Sequence, residues 1–188
     1  MARKDLGAKN YLYPQPVLIL AAYDENNHPN CMNAAWGGIS DYNQISIDLS
    51  NYHKTVKNIL MTGAFTVSPG VKSQVVACDY VGMVSGNDEK DKITKAGWST
   101  SKASHVNAPI INELPLALEC RLISYDEETG IMKGEIVNVS VDEKILDDKG
   151  HIDMDKFGVI SFDPDNNKYI LLKEMVGNTF KDGLQLKK

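Results

Sequence analysis

The sequence lacks any apolar run long enough to cross a bilayer. The longest, PVLILAAY from Pro16 to Tyr23, has eight residues, against the roughly 20 that a spanning helix needs. Basic residues are not in excess. Twenty Lys and Arg against 25 Asp and Glu leave a formal charge of −5, which argues against a nucleic-acid or anionic-membrane partner. No basic flank with a cleavage site precedes an apolar stretch, so a cytoplasmic protein is expected. Cysteine is scarce. Cys31, Cys78 and Cys120 are odd in number and widely spaced. They make neither a CxxC pair nor a disulfide framework, which fits a reducing compartment. His28, His53, His105 and His151 are scattered, with no spacing that fits zinc or a facial triad. The phosphate loop GxxxxGK[ST], the dinucleotide fingerprint GxGxxG and the hydrolase elbow GxSxG are all missing.

What is present reads as one domain over residues 1–188, rich in strands, without repeats, low-complexity tracts or linkers. Residues 16–23 are apolar on both faces, as in a buried strand. DENNHPN breaks the chain, and a strand resumes over 30–36. In QISIDLS, Ile45, Ile47 and Leu49 alternate with polar residues. KTVKNILM then has helical spacing, with Thr55 as candidate cap. AFTVSP is a short strand. KSQVVACDYVGM is expected to be helical, preceded by Ser73 and with Val76, Tyr80 and Met83 on one face. NDEKDKITKAG reads as a short helix between Asn87 and Gly97. Residues 116–126 and 131–141 form an antiparallel hairpin, the second arm buried through Ile131, Val137, Val139 and Val141. A last strand lies near 168–172. Many strands with a few short helices predict a closed or partly closed β-barrel.

Three stretches carry candidate chemistry. NAAWGG, Asn33 to Gly38, follows a strand with small residues and one indole. Small side chains let a ligand approach the backbone, and tryptophan offers a flat polarisable face. The same stretch also suits a tight corner plugged by a core indole. SNYHKT, Ser50 to Thr55, leads into a helix start, where unpaired N–H groups and the dipole favour an anion. With His53, Lys54 and the Thr55 hydroxyl it suits a phosphate, or a capped helix with a solvated His-Lys pair. SGNDEKDK, Ser85 to Lys92, brings a lysine that is either a second phosphate contact or a surface charge. Cys31, two residues before NAAWGG, is either a reactive thiol or a buried inert one.

Taken jointly, a planar seat and a phosphate seat one strand apart resemble the flavin reductase-like proteins with an FMN-binding split barrel, within them the flavoredoxin branch. The resemblance runs through YPQPVLILAAYDENNHPNCMNAAWGGIS, IDLSNYHKTVKNI, GAFTVSPG and SGNDEKDK. It is close from Tyr11 to Gly97 and looser from Leu114 onward. It implies a mainly β, six-stranded Greek-key split barrel with short peripheral helices, holding FMN non-covalently near a homodimer interface. By position, Asn30, Asn33, Ala34, Ala35 and Trp36 would line the isoalloxazine. Ser50, His53 and Thr55 would hold ribityl or phosphate oxygens, Ser85 and Lys92 would close the phosphate side, and Phe162 would approach the ring. The implied function is a redox flavoprotein passing electrons through FMN to or from a protein partner, with an NAD(P)H-dependent flavin oxidoreductase or a non-redox FMN module as alternatives. The Pro-Pro pair of many NAD(P)H-using members is replaced here by DYNQI. Their late Arg-Pro and paired-histidine pattern is reduced to His151, which favours the carrier.

Overall fold

The structure, a computed structural model, describes residues 1–187. The elements in chain order are β1 (Gln15–Pro16), β2 (Leu18–Tyr23), β3 (Pro29–Ala34), β4 (Gly37–Asp41), β5 (Gln44–Asp48), α1 (Lys54–Thr62), β6 (Ala64–Pro69) and α2 (Val75–Met83). There follow α3 (Lys92–Lys95), β7 (Thr100–Lys102), β8 (Pro109–Ile111), β9 (Leu116–Tyr125), β10 (Ile131–Val141), α4 (Met154–Phe157), β11 (Ile160–Asp163) and β12 (Lys168–Leu171).

Seven strands form one antiparallel sheet in the order β3-β2-β6-β9-β10-β5-β4. Its two edge strands, β3 and β4, are joined by only Ala35 and Trp36. Laid flat, six inter-strand spacings would put the edges about 29 Å apart. The three residue steps from Ala34 to Gly37 can span no more than about 11 Å. The sheet therefore curls until its edges nearly meet, leaving the barrel split at this corner. The split barrel is as expected, but its main sheet has seven strands rather than six: the strand read over 30–36 ends at Ala34, and β4 follows where no strand was read. Two small sheets flank it: β1-β11-β12 and β7-β8.

The apolar double face of β2 explains the two cores. Leu18, Leu20 and Ala22 point into the barrel with Ile45, Ile47, Phe65, Cys120 and Met132, joined by Val56 and Ile59 of α1. Val17, Ile19 and Ala21 point the other way, against Cys78 and Val81 of α2, Trp98 and Ile160. α1 stops at Gly63, whose φ of 68° and N–H bond to the Ile59 carbonyl close the helix.

Several local readings are corrected. β10 has the opposite phase at its start: Met132 is fully buried while Ile131 and Val139 are exposed. The register shifts between Ile136 and Asn138, where an extra residue moves later side chains to the other face, so no single alternation holds along the whole strand. α2 buries Ala77, Cys78 and Val81 rather than Val76 and Met83, which are exposed. Ser73 lies in a 3-10 turn and caps nothing. The helix expected between Asn87 and Gly97 shrinks to the four residues of α3, with turns before it.

Candidate functional site

The site is built along β3. At its C-terminal end, Asn33, Ala34 and Ala35 face a cavity of about 250 Å³. One helical row of α2, Asp79, Gly82 and Met83, forms the opposite wall, and Phe162 and Tyr169 of β11 and β12 complete it. The two rings lie 6.3 Å apart and tilted by 57°. Asn33 Nδ2 donates to the Cys78 carbonyl at 3.0 Å and ties β3 to α2. Tyr169 Oη donates to Asp79 Oδ1 at 2.8 Å. Burial, together with this bond, pushes the phenol well above the ordinary tyrosine value. The N–H groups of Ala35 and Trp36, between the two strands, donate to no protein acceptor among the described residues.

Toward the start of β3 lies a second, polar cluster. Asn30 is buried, and its Nδ2 donates to Thr55 Oγ1 at 2.7 Å. Gly86 packs so close that a Cβ there would stand 2.2 Å from Asn30 Oδ1, so only glycine fits. The neighbouring Ser85 Oγ accepts from the Asn87 N–H at 3.1 Å, and Asn87 Nδ2 donates to the Tyr52 carbonyl at 3.1 Å. These bonds bring the Ser85–Asn87 loop against the start of α1. His53 occupies the cap position of α1 without a side-chain cap bond, and no acidic residue stands in the first turn. The first N–H groups of the helix are thus left for another acceptor. Burial, with the nearby Lys92 charge, pushes the His53 imidazole below its ordinary value. The His53 N–H donates to the Ser50 carbonyl at 3.3 Å, which closes the turn before the helix. A cavity of about 460 Å³ also has Asn30, Lys54, Gly86 and Asn87 in its wall.

Lys92 is the least expected feature. Its side chain is buried, and Nζ donates to the Val81 and Val84 carbonyls at 3.0 and 2.7 Å. It cancels part of the negative end of α2. Burial pushes its ammonium down, opposed by the nearby Cys31 thiol. Cys31 itself is fully buried, and burial pushes its thiol up to about 12, so the inert reading holds.

With this geometry in place, comparison with known proteins is decisive. The model of the flavin reductase like domain matches residues 10–156. The chain belongs to the flavin reductase-like family. It is similar to the flavoredoxin of Desulfovibrio vulgaris (Miyazaki F), with 36% identity and a TM-score of 0.92 over 97% of this chain and 100% of that one. The flavoredoxin of Methanosarcina acetivorans is 26% identical, with a TM-score of 0.87 over 98% and 100% of the two chains. An FMN-binding domain of a flavin reductases-like enzyme from Shewanella baltica OS155, at 19% identity, shares the fold, with a TM-score of 0.78 over 88% and 90%. An uncharacterized protein of Aquifex aeolicus (strain VF5) is 29% identical over 105 residues, 55% of this chain and 53% of its own length. The chain thus spans about half the length of that relative. Family and neighbours place the chain in the flavoredoxin branch of split-barrel redox flavoproteins.

Of the flavin reductase-like site residues expected from sequence, Asn33, Ala34, Ala35 and Phe162 share one cavity wall. Asn30 and Thr55 are hydrogen-bonded, and Ser50, His53 and Ser85 lie in the turns beside them. Trp36 is exposed and lines neither cavity, so the indole does not plug the corner. Thr55 is not the helix cap, because His53 holds that position and the hydroxyl serves Asn30. Lys92 is neither a surface charge nor part of either cavity wall. Asp79, Gly82, Met83, Tyr169 and Gly86 were missed. The helical spacing of Asp79, Gly82 and Met83 was visible, but only the true phase of α2 singles it out. No helix among the described residues is long and apolar enough to cross a membrane.

Proposed function

We propose that this protein is a flavoredoxin-type redox carrier that holds FMN non-covalently along β3. The observation that carries the reading is that one strand presents both seats. Asn30 stands at the polar cluster and Ala34 at the apolar cavity, four residues apart, or about 13 Å along an extended chain. A ribityl chain separates a flat ring from a phosphate on that scale. The chemistry of the donors fits. The free N–H groups of Ala35 and Trp36 suit the polar edge of the ring. The open first turn of α1, with Thr55, suits the phosphate. Bound there, FMN would supply the exchange of a hydride or of single electrons, and the chain would supply position and electrostatics.

The electron partner proposed is another protein rather than NAD(P)H. His151, the late histidine of the sequence, sits in an exposed turn with its N–H on Asp147 Oδ1 at 2.8 Å. It lines neither cavity, which supports the carrier reading. Anaerobic mixing with NADH or NADPH tests this, since rapid bleaching of the flavin band would contradict it. A homodimer that completes the flavin site belongs to the same reading. Trp36, Ile39 and Tyr42 line the exposed corner and edge strand beside the ring seat, which supports a partner there. Sedimentation followed at the flavin band should show flavin release and subunit dissociation together on dilution.

The test of the site itself is Thr55→Ala. A hydrogen bond to a charged group is worth roughly 1.5–3 kcal/mol, so FMN should bind about tenfold or more weakly. Riboflavin, which lacks the phosphate, should be affected much less. Unchanged FMN affinity would refute the phosphate seat.

A further inference from the structure

The wall of the 250 Å³ cavity contains one charged residue among those described, and it is an acid, Asp79. Three observations give it weight. Asp79 lies one turn before Gly82 and Met83, so the same row of α2 that forms the wall carries it. Asp79 is solvent-exposed, and Tyr169 Oη orients it by donating to Oδ1 at 2.8 Å from the other side of the cavity. The C-terminal end of α2, which also borders this cavity, adds partial negative charge of its own. Lys92 compensates only two of its carbonyls.

A flat ring in this cavity would cover Asp79 and remove much of its water. A carboxylate in such a place opposes any further negative charge. We infer that Asp79, oriented by Tyr169, is the residue that sets the reduction potential of the bound flavin, holding it low by disfavouring the reduced state. This inference rests on the proposed flavin site and adds a role that binding alone does not require.

The charge balance makes the direction definite. Full reduction adds two electrons to the ring, with one proton or two from water. With one proton the ring keeps a net negative charge, which faces Asp79. With two it is neutral, and Asp79 has no net charge to repel. The acid therefore penalises formation of the anionic reduced ring relative to a neutral side chain, and the test is read at a pH where that form holds. The free N–H groups of Ala35 and Trp36 act in the opposite sense. Asp79 therefore offsets them, and the site holds a donor of low potential, as a carrier that reduces other proteins requires.

The test compares wild type with Asp79→Asn, which keeps the size of the side chain, and with Tyr169→Phe, which removes only the orienting hydroxyl. FMN affinity is measured in the oxidised state by fluorescence quenching and in the reduced state under dithionite. Midpoint potentials are read with indicator dyes, and apo-protein melting checks the fold. Repulsion between two unit charges about 6 Å apart, at an effective dielectric of about 40 for a cleft open to solvent, is worth about tenfold in an equilibrium. Asp79→Asn should bind reduced FMN about tenfold more tightly relative to oxidised FMN, a rise of about 30 mV for a two-electron couple. Tyr169→Phe should move the same ratio in the same direction by less, because it loosens the carboxylate without removing it. A wild-type protein that binds no FMN overturns the flavin reading and this inference with it. A wild type that binds FMN while Asp79→Asn leaves the ratio unchanged, or lowers it, overturns the role of Asp79 alone.

Discussion

Replacing Gly86 by alanine should disarm the polar cluster while leaving every side chain that would hold the flavin chemically intact. A Cβ at this position would lie 2.2 Å from Asn30 Oδ1, 2.8 Å from Cγ and 2.9 Å from Nδ2. All three atoms belong to one planar amide, so no small rotation relieves all the contacts at once. Either the Ser85–Asn87 loop moves away or the amide turns out. Turning the amide breaks its 2.7 Å bond to Thr55 Oγ1. Asn30 is 7% exposed, so the freed donor finds little water, a loss of about 1–3 kcal/mol. Moving the loop instead breaks the Asn87–Tyr52 link that holds it against α1. Both routes displace the phosphate seat. FMN affinity, followed by fluorescence titration of the apo-protein, should fall about tenfold or more, since each 1.4 kcal/mol is a factor of ten. The apo-protein should also melt lower. Gly183→Ala is the control, since a Cβ there meets nothing within 4 Å in an exposed turn far along the chain from either cavity wall, and it should leave affinity unchanged. A Gly86→Ala protein that binds FMN like wild type would refute the close packing of Asn30 and the place given to it.

Two further predictions concern stability. Gly134→Ala would put a Cβ 2.5 Å from Cζ of the fully buried Phe65, and overpacking of this kind costs about 1–3 kcal/mol in denaturant unfolding; an unchanged midpoint would contradict the barrel interior described. Glu119 is buried and accepts from Asn138 Nδ2 at 2.8 Å and from the His105 N–H at 2.7 Å. Burial alone would push its carboxyl up, but the bonds from Asn138 and His105 outweigh it and leave it below the ordinary value of 4.5. Its folded value is depressed, so its contribution is present above pH 4.5 and fades as pH falls below that through the depressed value. Acid unfolding of Glu119→Gln should lack this component, and an identical acid profile would refute it.

The strands, and the two segments that fold into the cavity wall and the polar cluster, were legible in the sequence because those signals are local. β2 declares burial on both faces in six residues, and β5 alternates without interruption. The small side chains at the end of β3 mark the segment that lines the cavity. What stayed hidden depends on contacts across the fold. The bulge after Ile136 reverses the phase of β10, and alternation of Val137 and Val139 gave no warning. α2 has apolar residues around most of its circumference, so neither its buried row of Ala77, Cys78 and Val81 nor the row of Asp79 on the cavity wall could be told from the sequence. Tyr169 reaches Asp79 across 90 residues of sequence. Lys92 looked like one charge among many in an acidic stretch, yet it is folded under α2 onto two carbonyls that only the tertiary structure places there.

The central claim, that β3 carries an FMN site, is tested most directly by the cofactor itself. Protein purified from its expression host should be yellow. Denaturation should release a flavin that co-chromatographs with FMN and not with FAD or riboflavin, near one equivalent per chain. Apo-protein prepared in this way should take up added FMN and recover the bound spectrum. A colourless protein that also fails to take up FMN would contradict the account.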